Sequence, residues 1–266
     1  MFPPEDCTFD RFLDGRLTVA QPRQGYRAAM DPVLLAAACG AKPGQSVLEL
    51  GCGLGSLSLW MAERYPGARI LGVSNSHGQR RWIEAERDRL GLTNLEIRTA
   101  DVNGFDPGRR FDRIVSVEMF EHMRNWAELL RRMRTWLHDD GRAFVHVFSH
   151  RTVAYRFEGT WASSRFFTAG TMPSHDLLER FPRDLVVTDR WAVSGVHYAR
   201  TLRAWLQRLD AHQAQAQQIL EAGRSPREAR RLLATWRLFL ISTAEIWDHH
   251  GGDDWLVSHH LLEPRP

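Results

Sequence analysis

The 266-residue sequence predicts an α/β fold, a doubly wound and mostly parallel sheet of about seven strands flanked by an N-terminal arm and a C-terminal helical cap. Three observations lead there. The apolar run Ser46-Val47-Leu48-Glu49-Leu50 reads as a buried parallel strand that stops on three alternating glycines, Gly51, Gly53 and Gly55. Strand and helix patterns then alternate as far as residue 150, the rhythm of a parallel sheet. The residues able to do chemistry gather where those strands end, the edge at which such sheets carry their sites.

Residues 1–45 form the arm, in which Asp31, Pro32 and Val33–Ala38 read as an N-cap, a first-turn proline and a short apolar helix ended near Gly40. Pro43-Gly44 punctuates the approach to the first strand, Ser46–Leu50. Core elements follow over 46–150: a helix over 57–65, a strand over 69–73, a helix over 79–90 closed by Gly91, and a strand over 95–99. Next come a strand over 111–117, a helix over 125–138 and a strand over 141–148. Residues 151–184 are an irregular insertion whose Tyr155, Phe157, Trp161, Phe166, Phe167 and Met172 suggest a lid or pocket wall. Residues 185–266 supply a strand over 185–193, two helices and a last strand over 255–262, all in one integrated domain. The first helix carries Leu202, Trp205, Leu206, Leu209, Ile219 and Leu220 at helical spacing, and the second Leu232, Leu233, Trp236, Phe239 and Leu240. Most of these are expected in the core, with Trp236 or Trp247 as substrate contacts.

The glycine turn is specific enough to argue about its ligand. Alternate glycines leave no Cβ between the backbone and a flat polar molecule. The spacing departs from the dinucleotide fingerprint, because Ser56 stands where a final glycine is required, and the only lysine, Lys42, precedes the strand. Glu49 beside the turn repels a pyrophosphate and suits a positively charged ligand.

Charged residues make up 25% and hydrophobic residues 43%, ordinary for a soluble domain and unlike a disordered chain. The net charge of +3 rests on arginines and names no partner; nucleic acid is not expected, and the oligomeric state is not legible. Ten Trp and thirteen Phe exceed what a core alone calls for and allow an aromatic pocket for a cation. Cys7, Cys39 and Cys52 lack metal or disulfide spacing, and no apolar stretch approaches a membrane span, so a cytoplasmic location is expected. No metal is expected either. His249-His250, Asp253-Asp254 and His259-His260 raise the question, but neighbours in a strand over 255–262 point to opposite faces, so His259 and His260 do not share an ion; His259 instead faces the pocket beside Trp255.

Glu118, Glu121 and His122 directly follow the 111–117 strand. Two carboxylates and an imidazole in five residues at such an edge are costly to bury without a role, although the last two also suit a helix start. Asp101-Val102 closes the 95–99 strand, with Asp101 placed either to accept from an exocyclic amine or to form a turn before Gly104.

Glu49-x-Gly51-x-Gly53-x-Gly55 resembles the first motif of class I S-adenosylmethionine-dependent methyltransferases, with their Rossmann-like fold. The resemblance implies S-adenosylmethionine as cofactor, held by Glu49, Gly51, Gly53 and Gly55, with Asp101 and Val102 at the adenine. Many of these enzymes hold the ribose with an acid after the second strand; Ser74-Asn75-Ser76 stands there, leaving Ser74, Asn75 and Gln79 as neutral candidates. The segment 15–44 resembles the opening of tRNA adenine-N6 methyltransferases, but Val117–His122 lacks the proline motif those enzymes place after the fourth strand.

Glu118-x-x-Glu121-His122-Met123-x-Asn125, Ser194-Gly195-x-His197-Tyr198-x-Arg200-Thr201 with Trp205, and Asp254-Trp255-x-Val257-Ser258-His259 are similar to the coclaurine N-methyltransferase branch of the cyclopropane fatty acid synthase superfamily. That resemblance implies methyl transfer to a small-molecule amine, with Glu121 and His122 as catalytic pair and Glu118 holding the amine. The lipid branch is the alternative: resemblance at Glu121, His146 and Tyr198 implies a bicarbonate site and an unsaturated acyl chain at a membrane surface. RNA adenine methylation and cofactor binding without catalysis are the remaining readings.

Overall fold

The computed structural model describes residues 7–12, 17–22, 41–42, 44–166 and 170–265. Cys7–Phe12 (β1) and Leu17–Pro22 (β2) pair antiparallel, Cys7 opposite Pro22 and Phe12 opposite Leu17, a hairpin that the sequence reading did not anticipate. The helix expected over 31–38, and Cys39, lie outside the described residues.

Ser46–Leu50 (β3) is buried along its whole length, as an apolar run covered on both faces must be. It pairs in parallel with Arg69–Ser74 (β4) and Phe111–Val117 (β6), setting Leu48 opposite Leu71 and Ile114. Leu95–Thr99 (β5) continues the parallel set beside β4. Asp112 ties the β3 and β6 starts together, its carboxylate accepting from Ser46 N at 2.7 Å and Ser46 Oγ at 2.8 Å. With Leu137–His150 (β7), Leu185–Ser194 (β10) and Trp255–Pro264 (β11), the seven-stranded order is β10-β11-β7-β6-β3-β4-β5. The order reverses about β3, which places the glycine turn at a switch point of the sheet. Tyr155–Arg156 (β8) and Thr171–Met172 (β9) form a separate two-stranded ribbon in the insertion.

The described chain divides into two compact units. One holds the residues up to Val117, Leu129–Phe144 and the end from Leu261; the other holds Glu118–Glu128 and Val145–His260. In the first, Ser56–Arg64 (α1) and His77–Arg89 (α2) pack Leu57, Met61 and Ile83 into a core with Val47, Ile70, Ile97, Val115 and Phe144. Ser76 caps α2 by accepting from Gln79 N at 3.3 Å. Trp126–Trp136 (α3) carries Arg132, whose guanidinium donates to the carbonyls of Val102, Asn103 and Phe105 and so fixes the turn after β5.

The second unit holds Val196–Ala211 (α4), Gln213–Leu220 (α5) and Pro226–Asp248 (α6); α4 and α6 pack Leu202, Leu240 and Trp247 with Phe148, and α5 between them buries no residue. Ser225, Pro226 and Glu228 start α6 with a capping box. The single helix expected across 202–220 is broken at His212, because nothing large and apolar between Leu209 and Ile219 holds the chain against a neighbour. Trp205 and Ile219, expected in the core, are exposed. No described helix is long and apolar enough to cross a membrane.

The glycine turn is where this packing is least tolerant. Gly53 (φ 53°) and Gly55 (φ 79°) are both left-handed, but a Cβ on Gly53 meets nothing within 4 Å whereas one on Gly55 falls 2.7 Å from Ile83 Cγ1. Gly53→Ala is expected to cost about 1 kcal/mol from the backbone alone. Gly55→Ala adds an overpacking cost and should lose about 2–4 kcal/mol, read from denaturant midpoints. Equal losses would mean that Ile83 yields freely.

Candidate functional site

Two groups of polar residues stand out, each within one unit. In the first, β3 delivers Glu49 into the interior, where it is 3% exposed and accepts a hydrogen bond from Ser58 Oγ. Burial pushes its carboxyl up to about 7, partly offset by Ser58. Gly51 N donates to Val73 O at 2.9 Å, and Gly55 N to Cys52 O at 2.7 Å, so the turn closes tightly on itself. The Cys52 thiol is pushed up by the same burial and then by Glu49, leaving it inert. At the end of β4, Ser74 Oγ donates to Gln79 Oε1 at 2.5 Å and accepts from Ser76 N at 3.1 Å, while Asn75 is exposed. Asp101 is exposed and its Oδ1 accepts from Asn103 N at 2.9 Å and Nδ2 at 2.8 Å, a turn-forming arrangement; the neighbouring Val102 carbonyl is taken by Arg132.

This first group suits a cationic, phosphate-free nucleoside cofactor. The space a Gly53 side chain would fill is open, and the ionisable group beside the turn is the Glu49 carboxyl rather than an ammonium.

The second group begins where β6 ends. Glu118 takes a left-handed backbone (φ 50°), a rare conformation for a residue with a side chain, held by its N–H donating to His146 O at 3.0 Å. Its Oε1 lies 3.0 Å from Nε2 of buried His146 on β7, and His146 Nδ1 lies 3.0 Å from Nε2 of His259 on β11. The first contact has ion-pair distance, and in the second one imidazole donates and the other accepts. Burial, then the charge of His146, pushes His259 down to about 3, which keeps it neutral.

A 3-10 turn, Phe120–His122, follows. Phe120 is fully buried, packs edge-to-face on Trp126 at 5.4 Å, and gives its carbonyl to Trp126 Nε1 at 2.9 Å. That pin turns Glu121 inward, 2% exposed, with Oε2 lacking any hydrogen-bond partner among the described residues. Burial, and next the charge of Glu118, pushes its carboxyl up to about 9. His122 Nε2 lies 3.8 Å from Glu121 Oε1, and its ring is 54% exposed, so it links the buried acid to solvent. Gly170 lies against both Phe157 and the Glu121 carbonyl, and Phe157 is followed by Phe148 at 5.9 Å and Trp247 at 6.2 Å from Phe148. This aromatic row begins beside the Glu121 backbone.

The structure thus joins Glu118, Glu121, His122, His146 and His259 directly. Tyr198 is stacked on Trp247 at 4.6 Å, and Trp255 donates from Nε1 to Tyr155 OH at 2.9 Å, both at the edge of the aromatic core. Trp236 is 42% exposed and packs on Phe166 at 4.9 Å and Phe239 at 6.0 Å, a different neighbourhood. Sequence reasoning overlooked Phe148 as a neighbour of Phe157 and the contact of Glu118 with His146. The alternation of β7, which puts His146 and Phe148 on the same side, was the available signal.

Glu121 gives stability a pH dependence. Its folded value, about 9, lies above the ordinary 4.5, so the native state keeps a proton that the unfolded chain releases. The contribution is fully present below pH 4.5 and is lost as pH rises toward 9. Glu121→Gln stays neutral throughout and should be more stable than the parent by about 1 kcal/mol or more at pH 8, the gap closing near pH 5, in melts across pH. Parallel curves would show that Glu121 is ionised in the fold.

The mycolic acid cyclopropane synthetase family matches residues 27–250. The chain is 36% identical to (S)-coclaurine N-methyltransferase of Papaver somniferum over 84% of this chain and 66% of that protein. It is 38% identical to the enzyme of the same name from Thalictrum flavum subsp. glaucum over 84% and 64%. It therefore spans just under two thirds of the length of these curated relatives. Cyclopropane-fatty-acyl-phospholipid synthase of Escherichia coli K12 is 30% identical over 63% of this chain and 42% of its own. Among solved structures, a coclaurine N-methyltransferase bound to N-methylheliamine and S-adenosylhomocysteine superposes with a TM-score of 0.84 at 36% identity, covering 88% of this chain and 70% of that one. A cyclopropane synthase of Mycobacterium tuberculosis, at 21% identity and a TM-score of 0.73, shares the fold. With the seven-stranded sheet and the glycine turn in place, the chain belongs to the mycolic acid cyclopropane synthetase family and has the class I methyltransferase fold.

Proposed function

We propose that this protein transfers a methyl group from S-adenosylmethionine to the nitrogen of a small-molecule amine. The observation that carries the reading is the buried acid Glu121, coupled by charge to half-buried Glu118 and opening through His122, with an aromatic row nearby. The amine-methylating relatives support it, at higher identity and coverage than the lipid synthase.

Glu49, Gly51, Gly53 and Gly55 would hold the methionine end of the cofactor, Ser74, Asn75 and Gln79 the ribose, and Asp101 and Val102 the adenine. The cofactor supplies an electrophilic methyl group on a sulfonium. The protein's task is to present a neutral amine lone pair in line with it, at about 3 Å. Glu118 attracts the ammonium form by charge and His146 with His259 fixes that carboxylate. Glu121, whose proton affinity is raised toward that of an amine, takes the proton in turn after passing its own to His122, a step worth roughly 10²–10⁴-fold. The faces of Phe157 and Phe148, with Tyr198, Trp255 and Trp236 farther out, would stabilise the methylated cation.

The test follows S-adenosylhomocysteine release from the cofactor with a panel of cyclic and aromatic amines, beside vesicles of unsaturated phospholipid. Release with an amine is expected, reduced about 10²-fold or more by Glu121→Gln and by His122→Ala. Release with vesicles alone would move Glu121, His146 and Tyr198 into a lipid-modifying role and overturn the proposal. His259→Ala should lower kcat more than it raises KM, because it loosens the fixed Glu118 without removing it; an unchanged kcat would take His259 out of the chain.

A further inference from the structure

We propose that His249, His250 and Asp254 form a binding site for a divalent transition-metal ion of the Zn²⁺ class, apart from the acid pair. The sequence argument against a metal applies to His259 and His260, and the structure bears out its geometry: His259 meets His146, while His260 Nε2 lies 3.1 Å from His175 O. It does not apply to the earlier pair. His249 and His250 sit on the 3-10 turn His249–Gly252 between α6 and β11, where side-chain alternation is absent.

The turn is bent so that two imidazoles converge. His250 is left-handed (φ 47°), one of only two described residues other than glycine with positive φ, and Gly251 and Gly252 continue the bend at 67° and 78°. This backbone lays the His250 ring beside that of His249, centroids 4.1 Å apart and planes at 35°. Both Nδ1 atoms then point at one oxygen: His249 Nδ1 lies 2.7 Å and His250 Nδ1 2.8 Å from Asp254 Oδ2. One ligand atom from each of the three residues falls within 4.8 Å of the others.

Ligand atoms around a tetrahedral Zn²⁺ lie about 3.3 Å apart, so each Nδ1 needs to draw back from Asp254 Oδ2 by roughly half an ångström to admit an ion. Each imidazole coordinates through Nδ1 in its neutral form with the ring proton on Nε2, and both rings are more than half exposed, so those protons face water. Two imidazoles and a carboxylate favour Zn²⁺, Co²⁺ or Ni²⁺ over Mg²⁺ or Ca²⁺, which take oxygen ligands. The frame around the three is stiff. Arg151 N donates to Asp254 O at 2.7 Å and its guanidinium holds Asp253 at 2.9 Å; Gly195 N donates to Gly252 O at 2.9 Å; and the His249 ring lies 5.7 Å from that of Trp255. Three protein ligands leave a position for water or an external donor.

The experiment uses the full chain stripped of metal with chelator, titrated with Zn²⁺ by calorimetry and with Co²⁺ by visible absorption. One saturable ion per chain is expected, raising the melting temperature as its concentration exceeds Kd. His250→Ala and Asp254→Asn should each weaken binding about tenfold or more, while His212→Ala, at an exposed histidine elsewhere, leaves it unchanged. Should an alanine variant melt early, His249→Gln, which keeps the side-chain volume, gives the same comparison. Absence of saturable binding, or equal affinity in the parent and the variants, overturns the site. Neither readout involves methyl transfer, so failure here is separate from failure of the proposed function.

Discussion

Two carboxyl groups three residues apart, one 3.0 Å from a buried imidazole and the other 2% exposed, constrain the residues around them in the second unit. A buried carboxyl cannot remain ionised beside another at this spacing without help. The fold supplies that help unequally. The His146 imidazole lies 3.0 Å from Glu118, whereas burial pushes the Glu121 carboxyl up, so the charge settles on the first and the proton on the second. The left-handed backbone at Glu118 is how the chain achieves this, because an ordinary strand exit would not combine its N–H bond to His146 O with a side chain reaching His146 Nε2. His259, held neutral, then completes a chain of contacts from Glu118 through His146.

The first unit repeats the device on a smaller scale. Glu49 is also buried, also raised, and also relieved by a single hydroxyl, that of Ser58. A site that holds protons on its acids until a cation arrives gains selectivity, since a neutral ligand offers those acids no compensation. The same property explains why these acids are poor stabilisers of the fold: each costs desolvation that hydrophobic neighbours would not.

Much of this architecture is legible along the chain. Ser46–Leu50 carries its own strand signal and its own stop, and the positive φ at all three glycines is what their spacing implies. The cluster at Glu118, Glu121 and His122 is legible because local sequence puts it at a strand exit. What joins it to His146 and His259 is sheet order, with sequence separations of 28 and 113 residues between the contacting partners, and no local pattern reports that. The break at His212 and the exposure of Trp205 and Ile219 were missed for a related reason: helical spacing records which residues share a face, and leaves open whether anything covers it. Asp101 illustrates a third limit, since one carboxylate serves a turn and a ligand equally well, and the structure shows it engaged with Asn103.

The two histidine pairs near the end of the chain show how backbone geometry decides between chemistries that composition leaves equal. On β11, alternation separates His259 from His260: partly buried His259 meets His146, buried His260 meets the His175 carbonyl, and burial keeps both neutral. On the turn before it, a left-handed His250 brings the second pair onto one carboxylate oxygen at the surface. The first arrangement moves or fixes a proton because its nitrogens face other nitrogens and a backbone carbonyl in a dry interior. The second gathers lone pairs toward a common point that water reaches, which is the arrangement a cation exploits. The same dipeptide serves both because the strand and the turn, rather than the imidazoles, set the direction of the lone pairs.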